Sequence, residues 1–276
     1  MMSYLGDQTG VYRAMDKLGS AGVSAIAAEA KVDERYLKEW LASNAARGYV
    51  SYDAEADKFS LTPEQASVFA RESEPTCIQG LIQGVVGQFV KEDVAIDVFK
   101  TGRGRPWGEH HECCFCGTER FFRPAYAGHL LDEWIPALDG VEDKLKLGAK
   151  VADIGCGLGT SSILMAEQFP NSTIHAFDFH GPSIEEAKKR ANEKGLSNLE
   201  FFVSDAGEIP KNDYDLACIF DAWHDMGDPV GIAASIKETL SKDGTFMVVE
   251  PMALDGYANN IANNPASAMM YGFGTL

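Results

Sequence analysis

The chain has 276 residues, 45% hydrophobic and 24% charged, enough to bury one or two modest cores. No run approaches the ~18 to 20 apolar residues of a membrane span. The segment Met1 to Asp7 lacks the basic-then-apolar pattern of a secretory signal, so a cytoplasmic protein without membrane contact is expected. A net charge of −17 argues against general affinity for nucleic acid or anionic lipid, which are bound through lysine and arginine.

In chain order, a short helix is predicted from Ser24 to Ala30, then a longer one from Glu34 to Arg47 with Asp33 as N-cap and Gly48 as stop. Tyr36, Leu37, Trp40, Leu41 and Ala45 recur at helical spacing and mark its core face. Tyr49 to Tyr52 and Lys58 to Leu61 flank an acidic turn as a hairpin, and the order helix, turn, helix, hairpin looks like a winged helix. Such domains bind DNA through basic surfaces. Here residues 1–75 carry eight Lys and Arg against twelve acids, 8 − 12 = −4, and the wing itself carries Asp53, Glu55 and Asp57. Those charges oppose phosphate binding.

Thr62 and Gln65 stand in capping-box positions with Pro63 in the first turn. Cys77 to about Val98 is apolar with helical period, and Gly102 to Gly108 breaks it. A helix is then predicted from about Thr118 through Trp134. Trp107, Phe121, Phe122, Tyr126 and Trp134 concentrate aromatic area here, suited to a core or to an apolar pocket for a flat ligand. Glu109 to Cys116 gathers zinc-type ligands, but their spacing is wrong and no second Cys/His cluster exists to complete a tetrahedral site. We therefore expect no metal and read these as surface-loop or pocket residues. Cys156 and Cys218 read as packing residues, and the six cysteines together as those of a reduced protein.

From Val151 the chain reads as a buried strand ending in Asp153, a turn through Gly155, Gly157 and Gly159, and a helix from Thr160 to Phe169. Glycine permits positive φ and close approach of a ligand to the main chain. Further strands run from Ser172 to Phe177, closed by Asp178, from Leu199 to Val203, ending near Asp205, and from Tyr214 to Phe220, ending in Asp221. Asp178 lies about twenty residues beyond the glycines, where an acid accepts ribose hydroxyls. Asp153, Asp178, Asp205 and Asp221 are expected along one rim, the carboxyl edge of a parallel sheet. A fifth strand runs from Gly244 to Glu250, after a helix capped by Asp228 with Pro229 in its first turn.

Residues 149 to 251 resemble the class I methyltransferases that use S-adenosylmethionine, on Asp153, Gly155, Gly157 and Gly159 and the strand-end acids. The spacing G-x-G-x-G departs from the G-x-G-x-x-G of nicotinamide-binding turns. The resemblance implies that the loop Gly155, Cys156, Gly157 faces the methionine moiety. It also implies that Asp178 binds the ribose, that Phe179 lies against adenine, and that Asp205 and the Ala206 amide meet the adenine edge, with Asp221 contacting the donor or capping its loop. Gly10 to Met15, Glu34 to Tyr36, Glu39 to Leu41 and Gly48 to Val50 resemble a small-molecule methyltransferase subgroup with a regulator-like N-terminal domain. In that group the winged helix pairs subunits, so a homodimer with a small-molecule acceptor is implied.

The expected fold is α/β: a winged-helix domain over 1–75, a helical connector and pocket cover over 76–148, and a Rossmann-like domain over 149–276. The resembling enzymes finish with two more strands, neither of which is found from Met252 to Leu276. A fragment or an exposed fifth strand is therefore expected, with poor solution behaviour or partner-assisted folding. His224 is the first candidate for taking a proton from the acceptor, with Asp225 orienting its ring. Glu109, His110 and His111 form the alternative set. The alternative function is a DNA-binding regulator that senses a nucleotide-like ligand.

Overall fold

The computed structural model describes residues 1–275. The chain forms two compact units, one from Met1–Lys91 with His110–Ala125, the other from Glu92–Glu109 with Tyr126 onward. Among the described residues no helix is long and apolar enough to cross a membrane.

In the first unit, helices Met2–Gln8, Val11–Leu18, Val23–Ala30 and Glu34–Ala46 precede an antiparallel hairpin of β1 (Ser51–Asp53) and β2 (Lys58–Ser60). The Asp33 side chain accepts from the Tyr36 amide at 3.1 Å, capping the fourth helix. Thr62 and Gln65 form the capping box of helix Pro63–Phe69. Tyr12, Met15, Ile26, Leu37, Trp40, Leu41, Phe59 and Phe69 fill the core. Tyr36 departs from the expected core face and is 78% exposed. The first helix closes over Trp40, whose indole donates to Met2 O at 2.8 Å, and Tyr36 stays in solvent although Leu37 beside it is buried.

Helices Gln79–Val90 and Glu112–Ala125 complete this unit. They cross so closely that a Cβ on Gly117 would lie 2.4 Å from the Gly84 amide nitrogen. Cys113, Cys114 and Cys116 are therefore helical rather than in a surface loop, and buried Cys114 packs at the glycine crossing. Arg120 donates to Asp7 at 2.9 and 3.0 Å and to Glu72 at 2.6 Å, tying the last helix to the first.

The second unit is built on a five-stranded sheet of β3 (Lys150–Ile154), β4 (Thr173–Asp178), β5 (Leu199–Val203), β6 (Tyr214–Phe220) and β7 (Leu240–Val249). All neighbours are parallel, in the order β5-β4-β3-β6-β7. Continuous apolar runs such as Leu216–Phe220 form these strands because both faces are covered. Helices Thr160–Gln168 and Gly181–Glu193 cover one face and helix Pro229–Thr239 the other. Tyr126 and Trp134 pack on Phe220, with ring centroids 5.6 and 6.3 Å away.

The chain winds outward from β3 through β4 to β5, then returns to β6. The order thus reverses between β3 and β6, which opens a ligand crevice at their carboxyl ends. β7 lies at the sheet edge. It begins at Leu240 rather than Gly244, because Leu240 pairs with Tyr214 across a register shift. Residues 252–275 contain helices Tyr257–Asn263 and Ser267–Phe273 and, among the described residues, no further strand.

Candidate functional site

The glycine turn after β3 is pinned from two sides. The Gly155 and Cys156 amides both donate to Phe177 O, at 2.8 and 3.0 Å, and the Gly157 amide donates to Asp178 Oδ2 at 2.9 Å. Gly155, Gly157 and Gly159 have φ of 72°, 54° and 78°. A Cβ at Gly157 would meet no atom within 4 Å, so this part of the turn borders open space. Cys156 is buried, which pushes its thiol well above the ordinary range. It contributes packing and backbone, not a nucleophile.

Asp178 uses its other oxygen to accept from the His180 amide at 2.8 Å. Burial raises its pKa against these two amides. Beside it, Ile154, Gly155, Phe177, Phe179, Ser204 and Ala206 line a narrow cavity of about 30 Å³. Phe179 is 55% exposed. Asp205 is exposed, and its Oδ1 accepts from the Gly207 amide at 2.8 Å, holding the turn that presents Ala206.

Asp153 does not share the rim with the other three acids. It has no exposed surface, because the Ser161 and Ser162 hydroxyls donate to its Oδ2 at 2.6 and 2.5 Å and turn it into the helix. Desolvation lifts its pKa to about 6. The geometry makes it a support behind the turn rather than a ligand contact.

Asp221 ends β6 in the left-handed region, φ 51°. The turn that follows lies against the glycine loop: a Cβ at Gly155 would be 2.9 Å from that of Ala222. His224, in the short 3-10 turn Trp223–Asp225, faces Glu250 Oε2 through Nδ1 at 2.5 Å. Glu250 Oε1 accepts from the Ala222 and Trp223 amides at 3.1 and 2.7 Å. This hydrogen bond with Glu250 raises His224 to about 9 and holds Glu250 below its usual range.

Asp225, expected to orient the ring, stands 3.5 Å from Nε2 with a 62% exposed side chain. Glu250 orients it instead, because parallel pairing of β6 and β7 brings the two strand ends together. Sequence reasoning passed over Glu250, although its place at the end of the fifth strand repeats that of the other strand-end acids.

Donor atoms of Asp221, His224 and Glu250 lie within 4.8 Å of one another, a span a small divalent cation could bridge. Such an ion would have to displace the His224–Glu250 hydrogen bond. The other candidate set is engaged elsewhere: Glu109 pairs with Arg103 at 3.0 Å, His110 Nδ1 lies 3.4 Å from Gln88 Nε2, and His111 Nδ1 accepts from the Cys113 amide at 3.2 Å. A larger cavity of about 320 Å³, lined by Asp7, Gln8, Arg13, Glu72 and Arg120, also lies in the first unit. Its charges already satisfy one another, and no strand end reaches it.

Comparison with known proteins adds a separate line. Residues 145–272 match a family model described as a methyltransferase domain, and residues 1–71 one described as an Rv2258c-like winged HTH domain. A sterol 24-C-methyltransferase of Gibberella zeae is 31% identical over 172 residues, 61% of this chain and 42% of the relative. The chain thus spans less than half the length of that curated relative. Among solved structures, human N-acetylserotonin methyltransferase in complex with SAM superposes with a TM-score of 0.70 at 16% identity, covering 99% of this chain and 81% of that one. An O-methyltransferase family protein from Burkholderia thailandensis gives 0.70 at 13% identity, with the same coverage. These likenesses establish the fold.

Proposed function

We propose that this chain, which joins a winged helix-turn-helix domain to a Rossmann-like methyltransferase domain, transfers the methyl group of S-adenosylmethionine to an oxygen of a small-molecule acceptor. The observation that carries the reading is the placement of the His224–Glu250 pair in and beside the turn that packs on the Gly155–Gly157 loop.

Bound S-adenosylmethionine supplies a methyl group already activated on a cationic sulfonium, so positioning and exclusion of water do most of the remaining work. The residues fit that donor: Gly157 leaves room for close approach, and Asp178 keeps lone pairs for a ribose diol beyond the two amides it holds. Phe179 offers a ring face to adenine, with Asp205 and the Ala206 amide at its edge. His224 takes the acceptor proton, and Glu250 stabilises the imidazolium that forms. The O-methyltransferase named among the structural neighbours supports oxygen as the methylated atom. A homodimer in the cytoplasm, paired through the N-terminal domain, completes the reading.

Calorimetry with S-adenosylhomocysteine tests the donor site. Micromolar binding that weakens in Asp178→Ala is expected, and no binding to the wild type would overturn the reading.

A further inference from the structure

Asp221 is the acid to which methyl transfer assigns no clear task. It is a non-glycine residue at φ 51°, a backbone state that L side chains rarely adopt and that persists only where the surroundings enforce it. Its amide donates to Val249 O at 2.8 Å, which fixes the residue to β7. Its Oδ1 is buried with no hydrogen-bond partner. A buried polar atom left in this way calls for an explanation, and this one belongs to a residue with an oxygen within 4.8 Å of donor atoms of His224 and Glu250.

Three titratable groups face Asp221: His224, Asp225 and Glu250. The histidine is the only cation among them, and its Nδ1 is committed to Glu250. The His224 charge favours an ionised Asp221, but burial and the two neighbouring carboxylates outweigh it and favour the protonated form.

We propose that Asp221 is held as a neutral carboxyl whose O–H donates to a second oxygen of the acceptor as it binds at neutral pH, beside the hydroxyl that faces His224. The acceptor class is then a hydroxy-carbonyl compound. A carbonyl oxygen can only accept, which suits a neutral carboxyl donor, and conjugation with a carbonyl acidifies the neighbouring hydroxyl that must lose its proton. The inference rests on the methyl-transfer reading for the identity of the site. Electrostatics agree: desolvation raises Asp221 to about 8, His224 opposes the rise, and Glu250 and Asp225 add to it.

The test uses the full chain in three forms: wild type, Asp221→Asn and Asp221→Ala. The carboxyl of ¹³C-aspartate-labelled protein, assigned by its loss in Asp221→Asn, is titrated without ligand and should remain protonated at neutral pH. With S-adenosylhomocysteine bound, the probes are 2′-hydroxyacetophenone and phenol, followed by calorimetry. The hydroxy ketone should bind wild type and Asp221→Asn within about threefold of each other, because asparagine keeps a neutral donor. It should bind Asp221→Ala about tenfold more weakly, while phenol should not distinguish the three.

A carboxylate ionised at neutral pH would overturn the proposal. So would failure of the hydroxy ketone to bind wild type, or equal losses in Asn and Ala. Uptake of Mn²⁺ that both variants abolish would reassign Asp221 as a cation ligand. Absence of S-adenosylhomocysteine binding would count against the donor reading alone, because the ¹³C titration needs no ligand.

Discussion

His224 Nδ1 and Glu250 Oε2 lie 2.5 Å apart across 26 residues of sequence. The pair raises His224 from 6.5 to about 9, so its base form prevails only above that pH. Methyl transfer should therefore rise with pH through about 9, and Glu250→Gln should move the inflection down toward 6.5. The same shift links to stability. A folded-state pKa raised above the unfolded value gives stabilisation that is complete below 6.5 and lost as pH rises through about 9. Asp221, raised from 3.8 to about 8, adds a loss of the same sign over its own interval. The groups interact, so apparent values belong to the cluster. A pH–rate profile and denaturant unfolding of both proteins check this; an inflection unmoved in Glu250→Gln would refute it.

Asp178 holds the Gly157 and His180 amides as well as the expected ribose site. Asp178→Ala should lower donor affinity at least tenfold, since two amides lose their partner at roughly 1 to 3 kcal/mol each. Asp178→Asn should fall between, as its amide oxygen can keep one of the two bonds. Titration calorimetry ranks the three, and equal affinities would separate Asp178 from the donor.

Two glycines of the turn should respond differently. At Gly159, with φ 78°, a Cβ would lie 2.9 Å from Phe201 Cε1 and 3.0 Å from Ala187 Cβ, so Gly159→Ala combines strain with overpacking and should cost about 2 to 4 kcal/mol. Gly157→Ala meets open space and should cost only about 1 kcal/mol, yet it occupies the approach to the donor. Thermal unfolding should rank Gly159→Ala as the less stable. Donor binding to folded protein should be weaker for Gly157→Ala.

In the first unit, Asp7 is buried against Arg120, with side chains 3% and 16% exposed. Arg120→Met should destabilise by roughly 3 kcal/mol, because the buried Asp7 keeps only the half-exposed Arg13 as a cationic partner. Asp7 is held below its ordinary value, burial being outweighed by the Arg120 hydrogen bond and charge. Its contribution is present above pH 3.8 and lost as pH falls through the depressed value. The variant should therefore lose part of the wild type's acid dependence, and unfolding at low and neutral pH measures that.

The winged helix should not bind duplex DNA at physiological salt. The tip of its hairpin carries exposed Asp53, Glu55 and Asp57, and Tyr52 and backbone amides hold Asp57 and Asp53 in place. Fluorescence anisotropy with random duplex should give no salt-dependent signal; a steep salt slope would favour the regulator.

The sheet was legible because buried parallel strands are continuous apolar runs: Leu199–Val203 and Tyr214–Phe220 have the limits their sequence suggests. Helix caps were legible where the signal is local, as at Asp33, Thr62 and Asp228. Contacts made by topology were not. Asp225 is next to His224 in sequence, but Glu250 reaches it because β6 and β7 are neighbours. The helix from Glu112 was hidden because Cys, His and Gly are weak helix formers, and packing at Gly84 and Gly117 supports it. The buried orientation of Asp153 depends on two serine hydroxyls a full turn away, which strand periodicity does not report.

The link between Asp7 and Arg120 spans 113 residues, while the chain passes into the other unit and back before Arg120 is reached. Excising residues 1–71 as a free-standing module would leave Asp7 with Arg13 alone and strip the first helix of its Arg120 tether. Biochemistry on the N-terminal domain therefore belongs in the intact polypeptide. There, a change in donor binding caused by Arg120→Met would report communication between segments that share no catalytic residue.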